Sequence, residues 1–222
     1  MLHRGKVEAV LFDMDGVIID SEPLWSEAER QLLARRNLLY SARLKTLLMG
    51  LNSSEAVGRL KEHYRLRESV NDLINERNQI VIELFRRHLR PAPQVLELIR
   101  CLRESGIKTA LASSSPRVVV DEVLDKLGIV ELFDLVINGD QVIRGKPAPD
   151  IYLAAAGGLA VSPGNCLVIE DAPNGVKAAK AAGMGCLAIT TSVAASELAG
   201  ADHLVRDFTE VHRLILETEG GS

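Results

Sequence analysis

Aromatic side chains are scarce: Phe, Trp and Tyr together make up 4% of the 222 residues. A core built on rings is therefore excluded. Burial must rest on Leu, Val, Ile and Ala, and hydrophobic residues at 47% are ordinary for a soluble globular protein. Cysteine is also sparse. Cys101, Cys166 and Cys186 are far apart and odd in number, which argues against a disulfide framework and against a zinc site. They are expected to be buried apolar thiols in a reducing compartment. Nor is there a basic excess. Lys and Arg number 26 against 30 Asp and Glu, for a net charge of -4, the wrong sign for a nucleic-acid binder. No apolar run is long enough to span a membrane. The first such run, residues 7–12, is too short for the core of a signal peptide and is interrupted by Glu8. A cytoplasmic protein is expected, and nothing requires more than a monomer.

What is present alternates. Residues 7–12 (VEAVLF) read as a buried strand that ends at Asp13-Met14-Asp15-Gly16. The segment 20–23 (DSEP) carries helix-start chemistry, with Ser21 or Glu22 near the cap and Pro23 in the first turn. From residue 24 to about 89 the pattern is helical. Its best helix spans 70–89, with Val70, Leu73, Ile74, Val81, Leu84 and Phe85 at helical spacing and Arg77, Arg86 and Arg87 between them. After Arg90-Pro91-Ala92-Pro93 the texture becomes strand and helix in turn. Strands are expected at 108–112, 135–137, 167–170, 186–190 and 203–205. Helices are expected at 94–104, 116–127, 150–156, 174–182 and 208–217, three of them closed by Gly106, Gly128 and Gly183. Such alternation implies a parallel sheet covered on both faces. The fold class is thus α/β, with residues 1–17 and 90–222 as the core and an all-helical insertion at 18–89.

In an open parallel sheet, ligands bind beyond the carboxyl ends of the strands. Four polar clusters fall at such ends: Asp13 and Asp15; Ser113, Ser114 and Ser115; Gly145-Lys146-Pro147; and Glu170-Asp171. Each alone is a weak signal. A lone D-x-D is as often a turn or a calcium ligand set, serine-rich turns are usually just turns, and Asp171 before Ala172-Pro173 could be only a helix cap. Together they gain force, because a parallel sheet would bring all four to one edge. Four carboxylates in one place call for a compensating cation, and Mg²⁺ with oxygen ligands is the obvious one. Lys146 and the Ser113 hydroxyl, with nearby backbone N–H groups, suit a phosphate dianion. One carboxylate can then attack phosphorus while the other protonates the departing alkoxide and later activates water.

The motifs Asp13-Met14-Asp15-Gly16-Val17, Ser113, Lys146-Pro147 and Glu170-Asp171 resemble those of the haloacid dehalogenase superfamily. Residues 12–25 (FDMDGVIIDSEPLW) and 169–184 (IEDAPNGVKAAKAAGM) resemble its β-phosphoglucomutase-like and sugar-phosphate phosphatase branch. The resemblance implies a Rossmann-like core with a helical cap. It makes Asp13 the nucleophile, Asp15 the general acid/base, and Ser113, Ser114 and Lys146 phosphate-binding. It places Mg²⁺ on the Asp13 carboxylate, the Asp15 main-chain carbonyl and Asp171, with Glu170 direct or through water. The partner it implies is a small phosphorylated metabolite, with neither nucleic acid nor membrane.

Mutases of this branch carry a His ten residues after the general acid and a cap Arg for the second phosphate. Here those positions are Trp25 and Ser53, which favours a phosphatase. A phosphonatase would lack Asp15, a receiver domain would lack the insertion, and a non-catalytic relative would usually have lost a motif residue. Trp25, Asn52, Ser53 and Ser54 are candidates for substrate contact, with core packing the alternative for Trp25. Arg35-Arg36 and Arg86-Arg87 read as solvated helix faces. His63, His88, His203 and His212 have no spacing that suggests a site.

Overall fold

The computed structural model describes residues 7–48, 53–190 and 193–217. Six parallel strands form one sheet in the order β3-β2-β1-β4-β5-β6. They are β1 (Ala9–Phe12), β2 (Lys108–Ala112), β3 (Leu135–Ile137), β4 (Cys166–Glu170), β5 (Gly185–Ile189) and β6 (His203–Val205). β1 pairs with β2 on one side and β4 on the other. All four of its residues are fully buried, and a strand covered on both faces reads as a continuous apolar run. The expected strands match these, with ends displaced by one or two residues, the usual uncertainty of strand and helix limits.

Alternate residues of the strands feed two separate cores. Val10, Phe12, Leu111, Leu167, Ile169 and Leu187 face α5 (Val95–Glu104), α6 (Arg117–Leu127) and α9 (Phe208–His212). Ala9, Leu11, Ala110, Ala112 and Val168 face α7 (Asp150–Leu159) and α8 (Pro173–Ala181). Gly128 and Gly183 adopt φ of 62° and 74° where α6 and α8 end, a conformation that side chains with a Cβ resist.

Between β1 and α5 lie α1 (Glu22–Ala34), α2 (Ala42–Leu48), α3 (Ser53–Tyr64) and α4 (Val70–His88), and no strand occurs among the described residues there. α4 starts where the Ser69 hydroxyl accepts the Asp72 N–H at 3.1 Å, and it ends two residues before Arg90-Pro91. α1 and α3 both pack on α4, and α4 touches α6 of the sheet domain. The two connections to the insertion run side by side. Ile19 bridges to Asp15 and to Pro91, and the Ala92 N–H donates to the Ile18 carbonyl at 2.8 Å.

Among the described residues no helix is long and apolar enough to cross a membrane. The three cysteines are free thiols, two of them buried. Burial, with Glu8 nearby, pushes the Cys166 thiol up to about 11.

Candidate active site

The four polar clusters meet at the carboxyl edge of β3, β2, β1 and β4, which are adjacent in the sheet. The Lys146 ammonium lies 2.5 Å from Asp13 Oδ1 and 2.7 Å from Glu170 Oε1, although these residues are far apart in the chain. Ser115 Oγ donates to Asp15 Oδ2 at 3.0 Å. These residues line a cavity of about 290 Å³ between the sheet edge and the helical insertion. Asp171, Ser114, Trp25 and Ser53 also line it.

The electrostatics are unbalanced. Among the described residues at the sheet edge, Asp13, Asp15, Glu170 and Asp171 meet one cation, Lys146, with Arg77 and Lys45 lining the cavity from the insertion. Burial drives the Asp13 carboxyl well above its ordinary range, and Glu170, Asp171 and Asp15 push it further while Lys146 opposes them. Burial alone would lower the Lys146 ammonium, yet Asp13 and Glu170 hold it above its usual value. Asp13, Glu170 and Asp171 each offer a carboxylate oxygen, and these atoms lie within 4.8 Å of one another. Hard oxygen donors with excess negative charge fit a Mg²⁺ ion.

The family model of the haloacid dehalogenase-like hydrolases matches residues 7–183. The chain belongs to this family. The hydrolase is 36% identical over 178 residues to a phosphorylated carbohydrates phosphatase of Thermotoga maritima, covering 80% of this chain and 82% of that one. It is 32% identical over 189 residues to hexitol phosphatase B of Escherichia coli K12, covering 83% and 84%. The crystal structure of CbbY from Rhodobacter sphaeroides in complex with phosphate superposes with a TM-score of 0.85 at 28% identity, over 92% of this chain and 96% of that one. This hydrolase is an enzyme of the phosphatase type.

The two aspartates of the hydrolase occupy different settings. Asp13 turns to Lys146. Asp15 lies past the strand end, after Met14 and before Gly16, whose φ of 82° makes the turn. Its Oδ1 accepts from Ser21 Oγ at 2.5 Å and from Trp25 Nε1 at 2.8 Å. With Ser115 on Oδ2, three donors fix this carboxylate in place. Ser21 stands at the N-cap position of α1, but it makes no side-chain cap; its backbone is helical rather than extended, and its hydroxyl donates to Asp15. Trp25 lines the cavity, and its ring also packs, meeting Phe85 edge-on at 6.0 Å.

Other expected residues are placed less directly. Ser113 is fully buried behind the cavity wall, and its hydroxyl accepts the Ser115 N–H at 3.1 Å. Ser114 and Ser115 form the wall itself. Ser54 is exposed and away from the cavity, and Asn52 lies outside the described residues. Asp171 is not the cap of α8; Ala172 holds that position. The pairs Arg35-Arg36 and Arg86-Arg87 bond to Glu68, Glu76, Glu83 and Glu122, and none of the four arginines lines the cavity.

Two residues not singled out from the sequence matter here. The Tyr152 hydroxyl donates to Glu170 Oε1 at 2.6 Å, and the Lys146 ammonium lies 4.8 Å from the centre of its ring. Arg77, expected among the residues between the apolar positions of α4, is 3% exposed and part of the cavity wall.

Gly175 shows how tightly the acidic cluster is held. A Cβ added there would fall 1.6 Å from Glu170 Oε1. Gly175→Ala is therefore expected to cost about 2 kcal/mol, the range for overpacking a buried site. Urea denaturation checks this, and an unchanged midpoint would mean that Glu170 moves aside freely.

Proposed function

We propose that this hydrolase cleaves phosphomonoesters of small sugar-like alcohols through a phosphoryl group carried on Asp13. The observation that carries the reading is the meeting of Asp13 with Lys146, Glu170 and Asp171 beside an independently held Asp15. In it, residues 18–89 act as a cap over a core of residues 1–17 and 90–222, and the small cavity between them takes a ligand the size of a monosaccharide.

An Asp13 carboxylate oxygen attacks phosphorus, and the bond from phosphorus to the alcohol oxygen breaks. Asp15 gives that oxygen its proton. Water then attacks the phosphoryl group, Asp15 takes the proton from it, and Asp13 is regenerated as phosphate leaves. Lys146, and the serines that follow β2, hold the phosphoryl oxygens. Asp13, the Asp15 main-chain carbonyl, Asp171 and Glu170 would hold Mg²⁺, which when bound supplies positive charge to the transferring phosphoryl group. Closure of the cap excludes water while the ester is cleaved.

The Trp25 position supports hydrolysis over a mutase, since no histidine stands there. Ser53 supports it less than the sequence suggests, because Arg77 brings a cation to that place from α4. Phosphate release from p-nitrophenyl phosphate and a panel of sugar phosphates is expected with Mg²⁺ and is expected to stop with EDTA. Mg²⁺ should also raise the melting temperature, and much less so in Asp171→Asn. Interconversion of hexose phosphates without net phosphate release would replace this reading by the mutase.

A further inference from the structure

The packed faces of α1 and α4 are interrupted by one charge each. On α1, Glu29 lies four residues from Trp25 and four from Leu33, and it is 7% exposed. On α4, Arg77 lies four residues from Leu73 and four from Val81. Apolar residues at these positions would pack well, and a buried ion pair is rarely favoured over them for stability. The two interruptions face each other across the helix pair, Arg77 Nη1 standing 3.6 Å from Glu29 Oε1. That is an attraction of charges without hydrogen-bond contact.

The pair is also incompletely satisfied. Arg77 Nη2 donates to Ser53 Oγ at 2.6 Å, and its guanidinium carbon lies 4.7 Å from the centre of the Trp25 ring. Its Nε–H is buried with no acceptor among the described residues. Glu29 accepts from the Tyr40 hydroxyl at 2.9 Å on its other oxygen. A loosely paired buried charge contributes little to stability, so holding α1 to α4 does not account for this pair. Arg77, Glu29, Tyr40 and Ser53 all belong to the cavity wall, which places the pair beside any ligand bound there.

We infer that Arg77 and Glu29 form the specificity site of this enzyme and read the hydroxyls of a neutral, polyhydroxylated leaving group. The inference rests on the phosphatase reading and deepens it. Charge decides the class of ligand. The insertion's side of the cavity carries Glu22 and Glu29 against Lys45 and Arg77, so it is neutral as a whole. A second phosphate would meet no net positive charge there, and Glu29 would repel it. A hydroxyl donates and accepts at once, and this wall offers a donor in Arg77 beside an acceptor in Glu29. Trp25 sets the spacing. Its Nε1–H holds Asp15 while its ring carries Arg77, so the hydroxyls are read one indole width from the group that protonates the ester oxygen.

The test compares a hexitol phosphate with n-hexyl phosphate, which lacks the hydroxyls, and with a hexose bisphosphate. The wild-type enzyme is expected to prefer the hexitol phosphate over n-hexyl phosphate by about 100-fold or more in kcat/KM, because a polar wall discriminates against a ligand that leaves it unpaired. The bisphosphate should do no better than the hexitol phosphate. Arg77→Gln and Glu29→Gln should each shrink that preference by about 10-fold, chiefly through KM. Calorimetric binding of the same ligands to Asp13→Asn reads the wall without turnover, and circular dichroism shows which variants are folded. Equal binding of hexitol and hexyl phosphates would overturn the inference. So would a preference for the bisphosphate that Arg77→Gln abolishes. Selective binding with no phosphate release from any ester would instead overturn the phosphatase reading and leave the polyol site standing.

Discussion

Asp13→Asn is expected to lower kcat by about 10⁴-fold or more, the scale seen when a nucleophile is removed from a preorganised site. The amide cannot take up the phosphoryl group, and Asp15 and Glu170 beside it are held by other partners. Asp15 is held by Ser21, Trp25 and Ser115, and Glu170 by Lys146 and Tyr152. The same variant is expected to melt higher than wild type in EDTA at neutral pH. Burial and the three nearby carboxylates hold the folded Asp13 pKa well above its ordinary value. Between the unfolded and folded values the folded state keeps a proton that the unfolded state has lost, so stability falls as pH rises through that window. Asparagine removes the penalty, and Lys146 keeps Glu170 as its partner. Lost activity with a raised melting temperature separates the loss of a nucleophile from the loss of the fold. A variant that melts lower, or keeps a tenth of the activity, would sink the assignment.

This trade of stability for reactivity explains which parts of the site were legible in the sequence. The strand ends were readable because a doubly covered strand must be apolar throughout, so an acidic residue at once marks its end, as Asp13 does after Phe12 and Glu170 after Ile169. The parallel topology then places those ends together without any pairwise signal. What sequence order could not give is the division of donors. Ser21 looks like a helix cap and is a ligand of Asp15, because local hydrogen bonding and site building use the same residue types. Ser113 carries a second contact that the spacing does not announce: its hydroxyl accepts the Ser115 N–H and braces that turn.

Arg77 and Glu29 carried a signal that was there to be read. Each lies a turn away from apolar residues on both sides, so each is a charge on a core-facing stripe. Periodicity alone treats such a residue as noise. The packing of α1 on α4 turns the two into a pair, and only the fold shows that this pair faces the cavity. Tyr152 had no such signal, since a tyrosine in the first turn of α7 is equally consistent with core packing, and its hydroxyl contact with Glu170 crosses between elements.

Asp15→Asn is expected to split the reaction by leaving group. With a sugar phosphate, whose alkoxide must be protonated as it departs, kcat/KM should fall by about 10³-fold, within the usual range for a general acid. With p-nitrophenyl phosphate the leaving group departs without a proton, so phosphoryl transfer to Asp13 should be largely spared. The second step then fails in its turn, because the water that attacks the phosphoryl group has lost its base. Rapid mixing should therefore show a burst of about one nitrophenolate per active site followed by slow turnover, with phosphate trapped on Asp13. The amide is a fair probe because its oxygen still accepts from Ser21 and Trp25, and the Ser115 hydroxyl can reverse and accept from its nitrogen. Equal losses with both substrates and no burst would show that Asp15 only holds the site together. A burst with p-nitrophenyl phosphate alone would place one residue at both proton transfers, and it would tie the Ser21, Trp25 and Ser115 donors to aiming that residue first at the ester oxygen and then at water.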